Sequence, residues 1–296
     1  MEAYQSETIF HLPGAFEHFP IYQFLLALWE NEPHLFKTNI KIGSVYGAPG
    51  GIWNGGRVLP RQYFVREDLE QIKQTYERYK IPIRFTFTNC LIEEKHLMDT
   101  YCNMLLEMFN TGNNEIICNS DILEQYIRVN YQDNYKYISS TTKCFKDKEL
   151  QTQELEKNYY LVVLDYNHNN DFEFLKSLPL NIRPKVEMLC NSSCSPNCPF
   201  RADHYRQVSI SQLDFSLFQK NGGCIGGFET YFKAKKLSTY ISPTDINTKY
   251  LPLGINNFKL EGRIAKPINL IEILVDYLIK TQYQLEVRQR IQELLY

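Results

Sequence analysis

No two cysteines in this chain stand in a C-x-x-C pair, although its 296 residues hold eight of them. Structural zinc sites usually pair their thiols as two such knuckles, so the absence weighs against an ordinary zinc framework. No uninterrupted apolar run approaches the roughly 18 residues of a membrane helix, and no membrane span is expected. Met1 to His11 hold neither a basic segment nor an apolar one, so no signal peptide or anchor is expected there. Net charge is also scarce: 32 basic against 34 acidic residues leave a formal −2, which gives no general attraction for phosphate. A nucleic-acid partner would need a local basic patch. Arg201, Arg206, Lys233, Lys235 and Lys236 are the candidates, and they read first as solvated surface charge. There is no G-x-G-x-x-G opening a helix and no P-loop, so no nucleotide fingerprint is present. H-E-x-x-H, G-x-S-x-G and a recognisable Cys–His arrangement are missing too.

What is present is a steady alternation. Short β-branched and aromatic runs occur at Thr8 to Leu12, Ile40 to Val45, Ile83 to Thr88, Glu115 to Cys118, Tyr135 to Ser139, Tyr159 to Leu164, Lys185 to Leu189 and Asn257 to Leu260. Amphipathic stretches lie between them, among them Ile21 to Asn31, Arg66 to Tyr79, Glu93 to Phe109 and Asp121 to Asn130, with Asp121 as a natural cap. Two more close the chain, at Pro267 to Lys280 and Tyr283 to Leu295. Eight strands each followed by a helix point to a single-domain (β/α)8 TIM-like barrel over residues 1–296; a doubly wound open sheet is the alternative, since a count of strands does not prove closure. Residues 198–256 break the short-loop rhythm and read as an insertion on the functional rim, with a small strand at Thr239 to Ser242.

The cysteines sort into two groups. Cys90, Cys102, Cys118 and Cys144 are scattered through strand-like and helix-like segments, as buried thiols of a reducing, cytoplasmic compartment would be. Cys190, Cys194 and Cys198 follow the seventh strand at four-residue spacing in a loop broken by Pro196 and Pro199, and Cys224 lies among glycines. Four soft thiolates select an iron–sulfur cluster or zinc over magnesium or calcium, and without a C-x-x-C the spacing leans toward a 4Fe-4S cluster. Unligated thiols or a disulfide framework remain open as well.

In a parallel barrel the chemistry sits where strands end. The residues there are polar, with His11 at the first strand, Tyr46 at the second, Asn89 at the third, and Glu261 to Arg263 after the eighth. As turn formers and caps such residues need no ligand. His11 and Glu261 stand out because they can move protons, and Arg57 and Arg263 because a guanidinium fork matches a carboxylate. In the loop from Gly47 to Arg57, glycines would let backbone N–H groups gather around an anion while Trp53 covers a planar ligand; a plain rim loop fits equally.

The segment Ile241-Ser242-Pro243-Thr244-Asp245, then Leu251-Pro252-Leu253-Gly254-Ile255, then Asn257-Phe258-Lys259-Leu260-Glu261-Gly262-Arg263 resembles the collagenase-like peptidase family. That family includes proteins of oxygen-independent ubiquinone hydroxylation and of RNA base hydroxylation, barrels with a 4Fe-4S cluster on four cysteines. The resemblance implies Cys190, Cys194, Cys198 and Cys224 as cluster ligands and puts Asp245, Glu261 and Arg263 on the motif. Together these readings lead to the expectation of an iron–sulfur oxidoreductase working without oxygen, with hydroxylation of a small or medium organic substrate as the favoured reaction. The expected site combines His11, Asp245, Glu261 and Arg263 as catalytic groups with Tyr46, Trp53, Arg57 and Asn89 as substrate contacts. Two rivals stand beside it: a peptide hydrolase, and a non-catalytic cluster-bearing subunit serving an electron donor or other protein partner.

Overall fold

A computed structural model describes residues 7–55, 63–216, 231–263 and 265–294. Eight parallel strands close into a barrel in sequence order: β1 (Thr8–Pro13), β2 (Ile40–Gly47), β3 (Ile83–Phe87), β4 (Glu115–Cys118), β5 (Lys136–Ser139), β6 (Leu161–Val163), β7 (Val186–Leu189) and β8 (Asn257–Lys259). Closure is made by β8 against β1, where Ile9 pairs with Asn257 and His11 with Lys259. The barrel therefore prevails over the open sheet. The helices are α1 (Phe19–Asn31), α2 (Arg66–Arg78), α3 (Thr100–Met108), α4 (Asp121–Tyr131), α5 (Lys148–Glu156), α6 (Phe172–Ser177), α7 (Arg201–Leu213), the short α8 (Tyr231–Ala234) and α9 (Pro243–Asp245), then α10 (Pro267–Leu278) and α11 (Gln284–Glu293). None of the described helices is long and apolar enough to cross a membrane.

The period of two along each strand decides what faces where. In β3, Phe85 and Phe87 turn outward to stack on each other at 5.4 Å and pack under Phe109 and Trp53, while Arg84 and Thr86 turn inward. Inside the barrel, Tyr46, Ile117, Ile138, Leu161 and Val163 form one apolar cluster. Beside them lies a charged one. Arg84 donates from Nε to Glu115 at 2.7 Å, from Nη1 to Glu187 at 2.7 Å and from Nη2 to His11 Nδ1 at 2.9 Å. Ser44 Oγ lies 2.8 Å from the same His11 nitrogen, and His11 Nε2 lies 3.2 Å from Asn257 Oδ1. These partners fix a neutral ring with its proton on Nε2. Burial, reinforced by Arg84, drives the His11 pKa down to about 3, so the ring stays neutral at ordinary pH. Burial would raise Glu187, but Arg84, His11 and Lys259 outweigh it and hold the carboxyl at about 2.

Several local expectations are corrected. The stretch Glu93 to Phe109 is not one helix: residues 94–96 make a single tight turn capped between Glu93 and His96, and α3 starts afresh where the Asp99 side chain accepts from Cys102 N at 2.8 Å. Ser120, not Asp121, caps α4. Thr239 to Ser242 form no strand and instead lead into the capped turn of α9. Arg201 is not a surface charge. Only 3% exposed, it pairs with Asp165, donates to Thr141 at 2.9 Å and lies 4.2 Å over the Tyr166 ring, which fastens α7 to the ends of β5 and β6.

Candidate active site

The mouth of the barrel at β8, β1 and β2 is built from two short sequences. The first is the β1–α1 connection, Gly14-Ala15-Phe16-Glu17-His18. Gly14 has φ +87° and would place a Cβ 2.5 Å from the His18 ring, so only glycine fits. The amides of Gly14 and Ala15 both reach the Tyr46 carbonyl, at 2.8 and 3.1 Å. Tyr22 and Tyr76 donate to the carbonyls of Pro13 and Ala15, and Phe16 inserts between Phe64, Phe85 and Phe109. Held this way, the loop turns Glu17 toward the barrel mouth, where its Oε2 lies 2.7 Å from the place a side chain on Gly47 would begin.

The second sequence continues β8. Phe258 and Leu260 point into the packed outer layer and are fully buried, so Lys259 faces inward, and beyond the strand Glu261 and Arg263 lie near enough to act on its charge. Arg263 Nη1 donates to Thr86 Oγ1 and its Nε lies 3.6 Å from Glu17 Oε1. Both Glu17 oxygens are buried without a well-formed hydrogen bond. Burial raises the Glu17 pKa from 4.5 to about 7, with Arg263 and the nearby backbone amides pulling only partly against it. His18 is buried beside it with Nε2 unpartnered, and burial lowers its pKa.

Glu261 lies next to the cysteine loop: Ser193 donates to it from Oγ at 3.0 Å and from its amide at 3.3 Å. The Asn191 side chain bridges the Glu261 backbone in both directions, at 2.8 Å to its oxygen and 2.7 Å from its N–H. Asn191→Ala should therefore cost about 1–3 kcal/mol in urea unfolding, because two part-buried backbone groups lose their partner; a loss near zero would show that this clamp carries no stability.

The other sequence-predicted residues are dispersed. His11 is inside the barrel, in the Arg84 network, and not with Glu261. The Asp245 carboxylate is taken up by Ser242 and Lys249. Tyr46 is within the barrel, its hydroxyl on the Leu260 carbonyl at 2.5 Å. Trp53 is fully buried, donates to the His96 carbonyl at 2.8 Å and packs edge-on against Phe87 and Tyr126. Asn89 ties Ile52 to Ser209, at 2.7 and 3.3 Å. Arg57 and Cys224 lie outside the described residues. Among the described residues no three His, Cys, Asp or Glu side chains gather as metal ligands. Cys190 keeps the outward parity of Met188, so its thiol lies in the packed layer near Tyr250 and Tyr277, whereas Cys194 lies near Tyr166 and Tyr205.

No family model matches the chain. Over 130 residues it is 30% identical to an uncharacterized protease of Methanocaldococcus jannaschii, a match that takes in 41% of this chain and 36% of that protein. The chain thus matches little more than a third of the length of that relative. Its fold is that of the U32 peptidase Mk0906, at a TM-score of 0.54 and 11% identity over 88% of this chain and 95% of that one. The resemblance to the collagenase-like peptidase family read from the β8 motif is borne out by these two likenesses. The reading of the chain as an iron–sulfur hydroxylase is corrected by them: the protease and peptidase that it resembles favour the hydrolase alternative over oxygen-independent redox chemistry.

Proposed function

We propose that this barrel, similar to collagenase-like peptidases, hydrolyses peptide bonds at the mouth formed by β8, β1 and β2. The observation that carries the reading is Glu17, a buried carboxyl with no well-formed hydrogen bond to either oxygen, its pKa raised to about 7, 3.6 Å from Arg263. A proton acceptor poised near neutrality is what general-base attack of water on an amide needs. In this scheme Glu17 takes a proton from water as the oxygen bonds to the peptide carbonyl carbon. Arg263 stabilises the negative charge that develops on the carbonyl oxygen. Collapse breaks the C–N bond, and Glu17 returns the proton to the leaving amine. The protease and peptidase likenesses support the same reaction class. A cytoplasmic location belongs to the same proposal, supported by Cys90, Cys102, Cys118, Cys144, Cys190 and Cys198, none of which is in a disulfide.

The test is the appearance of new amino termini when the protein is incubated with an unstructured peptide mixture. Because Glu17 must be ionised to act as base, kcat/KM should climb as pH rises through about 7 and then level off. A protein that releases no amino termini at any pH, or a profile flat from pH 5 to 9, would remove the proposal.

A further inference from the structure

The peptidase scheme leaves one nucleophile at the same mouth unused. Lys259 projects inward from β8, with only 8% of its surface accessible. Among the described residues no acceptor hydrogen-bonds to its amine; what it meets is the face of Tyr46, 4.2 Å from Nζ to the ring centroid. A charged lysine would ordinarily be paired when buried this far. Glu187, the nearby carboxylate of the barrel interior, already accepts from Arg84 Nη1 with both of its oxygens and faces His11 at 3.5 Å. Just beyond the strand come Glu261 and Arg263, both near enough to act on the charge of this amine.

From this placement we infer that Lys259 is an amine nucleophile that condenses with a small carbonyl compound bearing a carboxylate, with Arg263 receiving the carboxylate. The lone pair of Nζ bonds to the carbonyl carbon and the carbonyl oxygen gains a proton, giving a carbinolamine. Loss of that oxygen as water, with the second amine proton, leaves an imine on Nζ; no oxidant or reductant is consumed. Glu261 is the nearby carboxyl that can ferry the proton between nitrogen and oxygen. Burial supports a neutral amine at ordinary pH: it lowers the Lys259 pKa to about 7, with Arg84 and Arg263 acting in the same direction and Glu187 and Glu261 opposing.

Glyoxylate followed by borohydride tests the inference on the intact protein, since hydride fixes the imine as a stable secondary amine that peptide mapping can place. At pH 7 the Lys259 peptide should be labelled at least roughly tenfold faster than peptides carrying exposed lysines, whose amines remain protonated. Lys259→Arg should lose that fast label. If the variant does not fold, the wild-type map alone decides. Labelling confined to exposed lysines, with the Lys259 peptide unmodified, overturns the inference. The result is independent of peptide hydrolysis, because the label is read without turnover and hydrolysis is read without borohydride.

Discussion

Replacing Arg84 with methionine should lower stability by about 3–5 kcal/mol, because it leaves buried carboxylates without their cation. Arg84 is fully buried, and its fork is divided among Glu115, Glu187 and His11. Burial raises Glu115, and Arg84 is the main force holding that rise in check; the low pKa of Glu187 depends on the same guanidinium. Without it, two carboxylates face each other across the barrel interior. In a chain of this size a loss of that order shifts the melting temperature by about 10 °C. Arg84→Lys should recover only part of the loss, since an ammonium cannot present planar donors to three partners at once. Arg66, paired with Glu70 on the exposed face of α2, is the control, and its removal should change little. An Arg84→Met protein that melts with the wild type would mean that the interior network is dispensable.

That network also marks where sequence reasoning stops. The eight strands are legible because each is a short β-branched or aromatic run between polar turns, and the observed bounds differ from the expected ones mostly at the ends. Tyr159 to Leu164, for example, pairs only over Leu161–Val163. The inward face is not legible. Arg84 and Thr86 alternating with Phe85 and Phe87 look like a strand with one wet side, since the period of two cannot distinguish water from a barrel interior that is itself polar. His11 shows the consequence: counted as the end of its strand, it sits two residues inside Pro13 and is consumed by Ser44, Arg84 and Asn257.

The candidate site is only partly legible in the sequence. Glu261 and Arg263 are legible through the family-like motif, and Arg263 Nε lies 3.6 Å from Glu17 Oε1. The residue that ends each strand does not point to Glu17 and His18, which stand four and five residues beyond Pro13. The signal was there in two proton-carrying side chains, adjacent in a short connection that opens with glycine. For the thiols, spacing and strand parity carry different information. Four-residue spacing describes the loop, but Cys190 still obeys the alternation of β7, which sends its side chain outward with Met188.

Glu17→Gln should abolish peptide hydrolysis, by roughly 10²- to 10⁴-fold in kcat, and at the same time make the protein more stable above neutral pH. The two effects share one cause. Burial raises the Glu17 pKa from 4.5 to about 7, so across that window the folded protein still holds a proton that the unfolded chain has released. Stability therefore falls as pH rises from 4.5 to 7, by roughly 3 kcal/mol at about 1.4 kcal/mol per unit. Glutamine keeps the shape and cannot ionise, so its melting temperature should lack this decline. The variant should match the wild type at pH 4 and exceed it at pH 8, by less than the full amount because Arg263 loses its partner. A structural ion pair predicts the reverse sign, with the glutamine protein weaker at pH 8 and hydrolysis reduced only in step with its folded fraction. Hydrolysis within a few-fold of wild type in a folded Glu17→Gln protein would remove Glu17 from the reaction and leave the peptidase reading without its base.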